Sequence, residues 1–174
     1  IHNKIAFLTE DRKGEGLILD ASVMNNLHLA TIDRDRKGLL LDESKHRKVA
    51  EENVKTYRIK TPTLETPVGS LSGGNQQKVV IGKWVNTDAD IYIFDEPTRG
   101  IDVGAKIEVY NVMNDLVKKG KAVLMVSSEL PEILGMSDRV IVMRHGRIMA
   151  KIDRDSEHFN QEDIMKAAWG GTLE

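Results

Sequence analysis

Apolar residues in this chain gather into short runs separated by long charged stretches, and the spacing within each run predicts its element. "KIAFL" (4–8) ends abruptly in the charged, glycine-containing "TEDRKGEG". That pattern predicts a buried strand followed by a loop. "DASVMNNLHL" (20–29) carries Val23, Leu27 and, on a neighbouring face, Met24, which predicts a short helix with Asp20 or Ser22 as its cap. "DESKHRKVAEENVKTYRI" (42–59) sets Val49, Val54 and Tyr57 among charges, the mark of a helix with one narrow buried stripe and a solvated remainder. Two prolines and three glycines between 60 and 74 exclude regular structure there.

The pattern then changes. "DIYIFDEP" (90–97) is a continuous apolar run stopped by two carboxylates and a proline, as in a strand buried on both faces of a parallel sheet. Val103, Ile107, Tyr110, Met113 and Val117 recur at helical spacing, and Lys118, Lys119 and Gly120 supply a C-terminal cap. "AVLMVSS" (122–128) is a second fully apolar strand, so residues 90–127 predict a right-handed βαβ unit. "ELPEILGMSD" (129–138) predicts a short helix, and "RVIVMRHGRIMAKI" (139–152) a hairpin divided around Gly146. "FNQEDIMKAA" (159–168) predicts a helix capped by Asn160, with Phe159 stapled onto Ile164. The organisation is a mainly helical insert, roughly 15–70, in an α/β layer without internal repeats.

Composition narrows the classes. With 174 residues, 40% of them hydrophobic, the chain suits one well-packed domain. A net charge of -2 with 30% charged residues excludes both a global basic field for nucleic acid and the acidic excess of a disordered chain. The absence of cysteine excludes disulfides and thiolate metal sites, and suits a reducing compartment. Apolar runs of about five residues, such as "AVLMV", fall far short of the roughly 20 that span a bilayer. Ile1 in place of Met, without a secretory pattern behind it, makes the chain look cut from something longer.

Two stretches carry candidate chemistry. In "LSGGNQQK" (71–78) Ser72 can cap a helix while Gly73 and Gly74 leave its first N–H groups uncovered, an anion site favoured by the helix dipole. A closely approaching phosphate accounts for both glycines, which a simple cap does not need; the plain alternative is a Ser-capped helix after a flexible loop. In "IYIFDE" (91–96), Asp95 and Glu96 stand at the carboxyl end of a strand, where open α/β sheets bind ligands. Such an Asp can hold Mg²⁺ through water, and the adjacent carboxylate can orient or deprotonate an attacking water. The alternative is that both merely end the strand.

The order and distance of these motifs matter. "LSGGNQQK", then "IYIFDEPTRGID", then "SSELPEILGMSDRVIVMRHGRI" resembles the ATP-binding cassette of ABC transporters. More narrowly, it is similar to the second cassette of the double-cassette ATPases of bacterial monosaccharide importers of the ribose, xylose, arabinose and galactose type. The resemblance implies a P-loop NTPase α/β core with a mainly parallel sheet (1–14 and 87–174), an inserted helical and signature subdomain (about 15–86), and a missing N-terminal part. It implies a signature loop of Ser72, Gly73, Gly74 and Asn75 that contacts the γ-phosphate of ATP held by another cassette. It makes Asp95 the ligand of Mg²⁺, Glu96 the catalytic carboxylate, and Asp102 the D-loop residue at the cassette interface. Glu10 stands where most cassettes carry the Q-loop glutamine, in a loop that faces transmembrane permease subunits; a carboxylate there cannot donate a hydrogen bond.

Two departures follow from the same comparison. No G-x-x-x-x-G-K-[ST] occurs, so tight ATP binding by this chain alone is expected to fail. In the family that loop lies upstream of residue 1. Ser128 occupies the position of the usual switch histidine, and a hydroxyl cannot replace imidazole contacts to the γ-phosphate. The site using Asp95 and Glu96 is therefore expected to hydrolyse slowly, while Ser72 serves a faster site on the first cassette.

The resemblance implies a peripheral ATPase subunit on the cytoplasmic face of the bacterial inner membrane, working with permease subunits and a sugar-binding protein and not with nucleic acid. The alternatives are a soluble ABC-type ATPase of chromosome maintenance or translation, or a non-catalytic docking module. Plain structural roles are expected elsewhere. His2, His28, His46, His145 and His158 lack ligand spacing and suit surfaces or turns; the seven methionines suit core filling; "DRDRK" (33–37) suits a solvated loop; Trp84 and Trp169 suit packing. Exposed sheet edges and apolar faces favour self-association.

Overall fold

A computed structural model describes residues 3–37 and 40–173, so His2 lies outside the described residues. Two compact units emerge, Ile1–Val126 and Ser127–Glu174. In the first, β1 (Ile5–Leu8) leads through a π-helical turn (Arg12–Gly16) to α1 (Val23–His28), a 3-10 turn (Ile32–Asp35), β2 (Arg36–Lys37), β3 (Leu40–Leu41) and α2 (Glu43–Thr56). A second 3-10 turn (Val68–Ser70) precedes α3 (Gly73–Val85), β4 (Ile91–Asp95), α4 (Val103–Lys118) and β5 (Ala122–Val126). The sheet runs β1-β4-β5, with β4 parallel to both neighbours and Ile5 and Ala122 in register with Ile91.

The sheet is not buried on both faces, contrary to its continuous apolar runs. Tyr92 is 1% exposed and Phe94 is fully buried on the face against which α3 and α4 pack. Phe7, Ile91, Leu124 and Val126 on the opposite face are 42–51% exposed. The helix after β4 also turns differently from its expected stripe. Ala105, Val109, Met113 and Leu116 of α4 are buried, while Val103, Ile107 and Val117 face outward. Both α4 faces carry apolar residues, so spacing alone did not choose between them.

Local chemistry explains the helix ends. Ser22 Oγ accepts from the Asn25 N–H at 3.1 Å and Asp42 Oδ1 from that of Lys45 at 3.0 Å, so Ser22, not Asp20, caps α1. Gly120 ends α4 with φ 78°, a left-handed turn that glycine takes without strain. The buried stripe of α2 is His46, Ala50 and Asn53, with Val49, Val54 and Tyr57 only half-buried. His46 stacks on His28 of α1, ring centroids 4.0 Å apart, so neither takes the expected surface role. "DRDRK" likewise holds a 3-10 turn whose Arg34 Nη1 donates to the Thr87 carbonyl at 2.8 Å.

Gly82 lies within α3, in its last turn, where glycine costs up to about 1 kcal/mol relative to alanine. A Cβ there would stand 2.8 Å from both Asn53 Oδ1 and Leu27 Cδ2, so α1, α2 and α3 meet at this point. Gly82→Val is expected to lower stability by about 2 kcal/mol through overpacking, read as a lower urea midpoint at unchanged m.

In the second unit, α5 (Leu130–Met136) precedes the hairpin of β6 (Arg139–Arg144) and β7 (Arg147–Asp153), then α6 (Gln161–Ala168). His145 and Gly146 turn the hairpin with φ 48° and 75°, as a two-residue primed turn requires. Asn160 Oδ1 accepts from the Asp163 N–H at 2.9 Å, and Phe159 packs on the cluster of Val140, Val142, Ile152, Ile164 and Ala167. Methionine does not fill the core as expected. Met113 is buried, whereas Met143, Met149 and Met165 are exposed, as is Trp169 at 76%. Among the described residues no helix is long and apolar enough to cross a membrane.

Candidate functional site

Ser72 has the extended backbone of an N-cap residue, φ -60° and ψ 156°, yet its side chain makes no capping hydrogen bond. The expected Ser72 cap is therefore absent. Ser72 Oγ instead accepts from Asn75 Nδ2 at 2.9 Å, and Asn75 Oδ1 accepts from the Lys60 N–H at 2.8 Å. Asn75 thus turns the serine oxygen away from the backbone, and the positive end of α3 stays open beside an exposed Ser72. Gln76, buried, anchors this turn by donating from Nε2 to the carbonyls of Val68 and Leu71 at 3.3 and 3.2 Å. Lys78, the last residue of the octet, serves packing. It is buried, pairs with Glu108 of α4 and donates to the Arg58 carbonyl at 3.1 Å.

The two glycines also meet the chain's own elements closely. A Cβ on Gly74 would stand 2.8 Å from Ala105 Cβ in α4, and one on Gly73 would stand 2.8 Å from Arg12 Nη2 and 3.2 Å from the Gly100 carbonyl. Close approach of α4 requires glycine at 74, whereas a Cβ at 73 would push the end of the Arg12 side chain aside. Gly74 is buried and Gly73 half-buried, so Ser72 is the part of the loop that an outside group meets first.

Asp95 and Glu96 end β4, both half-buried. The Glu96 N–H donates to the Val126 carbonyl at 2.9 Å, extending the β4–β5 ladder by one residue. Glu96 then adopts φ 45°, in the left-handed region where a residue with a side chain is strained by about 1–3 kcal/mol. Strain of this kind gathers where a side chain must point in a set direction, and periodicity gave no sign of it. The Arg99 N–H closes the following turn on the Glu96 carbonyl at 3.2 Å. Asp102 caps α4 by accepting from the Ala105 N–H at 3.0 Å, with its other oxygen 3.5 Å from a Cβ placed on Gly74. The starts of α3 and α4 therefore meet through the residues singled out in sequence.

Glu10, in the loop after β1, is engaged by the Arg99 guanidinium. Arg12 answers from the same loop, donating to the carbonyls of Arg99 and Gly100 at 2.9 and 3.2 Å. Partial burial lowers the pKa of Arg12, which as a guanidinium stays cationic. Glu10, Asp11, Arg12, Lys13, Arg99 and Gly100 bound a surface cavity of about 440 Å³. Sequence reasoning missed the arginines. They read as loop charges, and only the fold brings loops 10–16 and 97–102 together.

Ser128 is exposed in the second unit. Beside it the Ser127 hydroxyl donates to Glu132 while its Oγ accepts from the Glu129 N–H at 3.1 Å, which fixes the turn into α5. Among the described residues no group of three or more His, Cys, Asp and Glu side chains could hold a metal ion alone. A nucleotide-bound Mg²⁺ takes only one or two protein carboxylates, with phosphates and water completing its octahedron, and the half-buried Asp95 fits that demand. The open start of α3 fits a phosphate group.

Residues 1–99 match the family model described as "ABC transporter". The chain is 51% identical over 167 residues to the ribose import ATP-binding protein RbsA of Oceanobacillus iheyensis, covering 96% of this chain and 33% of that protein. It is 52% identical over 171 residues to the xylose import ATP-binding protein XylG of Thermoanaerobacter pseudethanolicus, covering 98% of this chain and 34% of that protein. The chain thus spans about a third of the length of the curated relatives it matches. Among solved structures, a dimeric ATP-binding cassette in a post-hydrolysis state, bound to ADP and phosphate, shares the fold with a TM-score of 0.74 at 22% identity. That match covers 88% of this chain and 64% of the other.

Proposed function

Because the chain belongs to the ABC transporter family, with the α/β fold of its ATP-binding cassettes, we propose that it is part of an ATP-hydrolysing subunit that energises monosaccharide import. What supports this most is the start of α3, where an exposed Ser72 makes no capping bond and Gly74 packs against the cap of α4. In this reading about 15–86 form the helical and signature subdomain, and 1–14 with 87–174 the α/β core. ATP bound to another cassette meets Ser72 and the N–H groups of Gly73, Gly74 and Asn75. Asp102 joins the contact between cassettes.

The chain's other residues act at a second nucleotide. Asp95 would hold Mg²⁺, which would supply positive charge against the phosphate oxygens. Glu96, aimed by its strained backbone, orients the attacking water and takes its proton. Glu10 accepts hydrogen bonds there once Arg99 releases it, and in sequence Ser128 takes the position of the switch histidine with a shorter, uncharged side chain. That site therefore hydrolyses slowly, and the site completed by Ser72 sets the rate. The phosphate-cradling loop is not in these 174 residues, so the chain alone is inactive. Its partners are transmembrane permease subunits and, through them, a sugar-binding protein, which places it at the cytoplasmic face of the bacterial inner membrane.

The test is the full-length protein reconstituted with its permease in liposomes. ATP hydrolysis is expected to rise when the binding protein is loaded with a monosaccharide. Hydrolysis indifferent to both permease and sugar would overturn the reading.

A further inference from the structure

One side chain fastens the loop after β1 to two other segments. Arg12 Nη1 donates to the Arg99 carbonyl at 2.9 Å and Nη2 to that of Gly100 at 3.2 Å, while Nη2 lies 2.8 Å from where a Cβ on Gly73 would stand. A single planar guanidinium is wedged between the turn that follows Glu96 and the first residue of α3. Its Nε is buried without a hydrogen-bond partner among the described residues. An unfavourable N–H of that kind persists only where the surroundings fix the group. The loop is held at its other end too, since the buried Lys83, near the end of α3, donates to the Gly16 carbonyl.

We infer that Arg12 is a positioning residue for nucleotide contact: it sets the spacing between the start of α3 and the turn behind Glu96, so that both meet nucleotide as one body. The inference rests on the reading of Ser72 and its neighbours given above. The fork of the guanidinium matters, because two carbonyls of successive residues are reached by two N–H groups in one plane, which an ammonium does not offer. Gly73 matters for the same reason, since any Cβ there would displace the guanidinium.

Two measurements test this. In the 174-residue chain, Arg12→Lys is expected to speed amide exchange of Gln76 and Arg99, whose N–H groups donate to the Ser72 and Glu96 carbonyls, about tenfold while 91–95 and 139–153 stay within about twofold. In the full-length protein with its permease, Arg12→Lys lowers kcat about tenfold and leaves KM for ATP within about twofold. Gly73→Ala gives a similar loss, and the double variant is no worse than either single one. A uniform rise in exchange, or losses that multiply in the double variant, would overturn the inference. Exchange needs no activity. If the unaltered full-length protein shows no sugar-stimulated hydrolysis, the functional reading fails and exchange alone decides the role of Arg12.

Discussion

Ser72→Arg in the full-length importer is expected to lower sugar-stimulated ATP hydrolysis about 100-fold, the scale of losing an aligned donor to a developing anion. Ser72 is exposed at an uncapped helix start, so a long cationic side chain there fills the approach to the bare N–H groups and takes over their role as the positive end of α3. Folding should hardly change. A capping serine is worth about 1 kcal/mol, but this one makes no capping bond to lose. Glu96→Gln is expected to cost the same activity less than about threefold, because the site it serves is the slow one. If Glu96→Gln stops hydrolysis while Ser72→Arg leaves it untouched, the roles of the two sites are exchanged.

Phe94→Ala should destabilise the 174-residue chain by about 3–5 kcal/mol, whereas Phe7→Ala should cost about 1 kcal/mol or less. Both phenylalanines lie in the same sheet. Phe94 is fully buried beneath the helices, while Phe7 is 46% exposed on the open face. Urea unfolding of the two variants reads the difference as a shift in midpoint. These costs are those of the monomer at low concentration; where the expected self-association covers the open face, the cost of Phe7→Ala rises towards that of Phe94→Ala and light scattering shows the chain larger than a monomer.

That asymmetry marks where sequence stopped being informative. The runs 4–8, 90–97 and 122–128 reveal strands, since charged and glycine-rich segments bracket each apolar stretch, and parallel pairing follows from the helix between the last two. A continuous apolar run does not say which face is covered, because Phe7 and Phe94 are chemically alike and differ only in what packs over them. In α4, apolar residues lie on two faces, and the expected stripe through Val103, Ile107 and Val117 was the wrong one of the two. The caps by Ser22 and Asn160 were legible because a short polar side chain before an apolar-periodic segment has a local partner. Ser72 has the same local pattern, but Asn75, three residues on, competes for its oxygen. The motifs of the candidate site were legible as order and spacing along the chain. The packing around Gly73 and Gly74 was not, since it comes from Arg12, Gly100 and Ala105, which are 26 or more residues away in sequence.

Labelling of Ser72→Cys by a maleimide in the full-length protein decides most directly whether the start of α3 meets a nucleotide presented by another cassette. A non-hydrolysable ATP analogue is expected to slow labelling at least about tenfold, and the protection should vanish when the phosphate-loop lysine of the other cassette is replaced. Labelling that proceeds at the same rate with and without the analogue, or protection that survives loss of that lysine, would contradict the account.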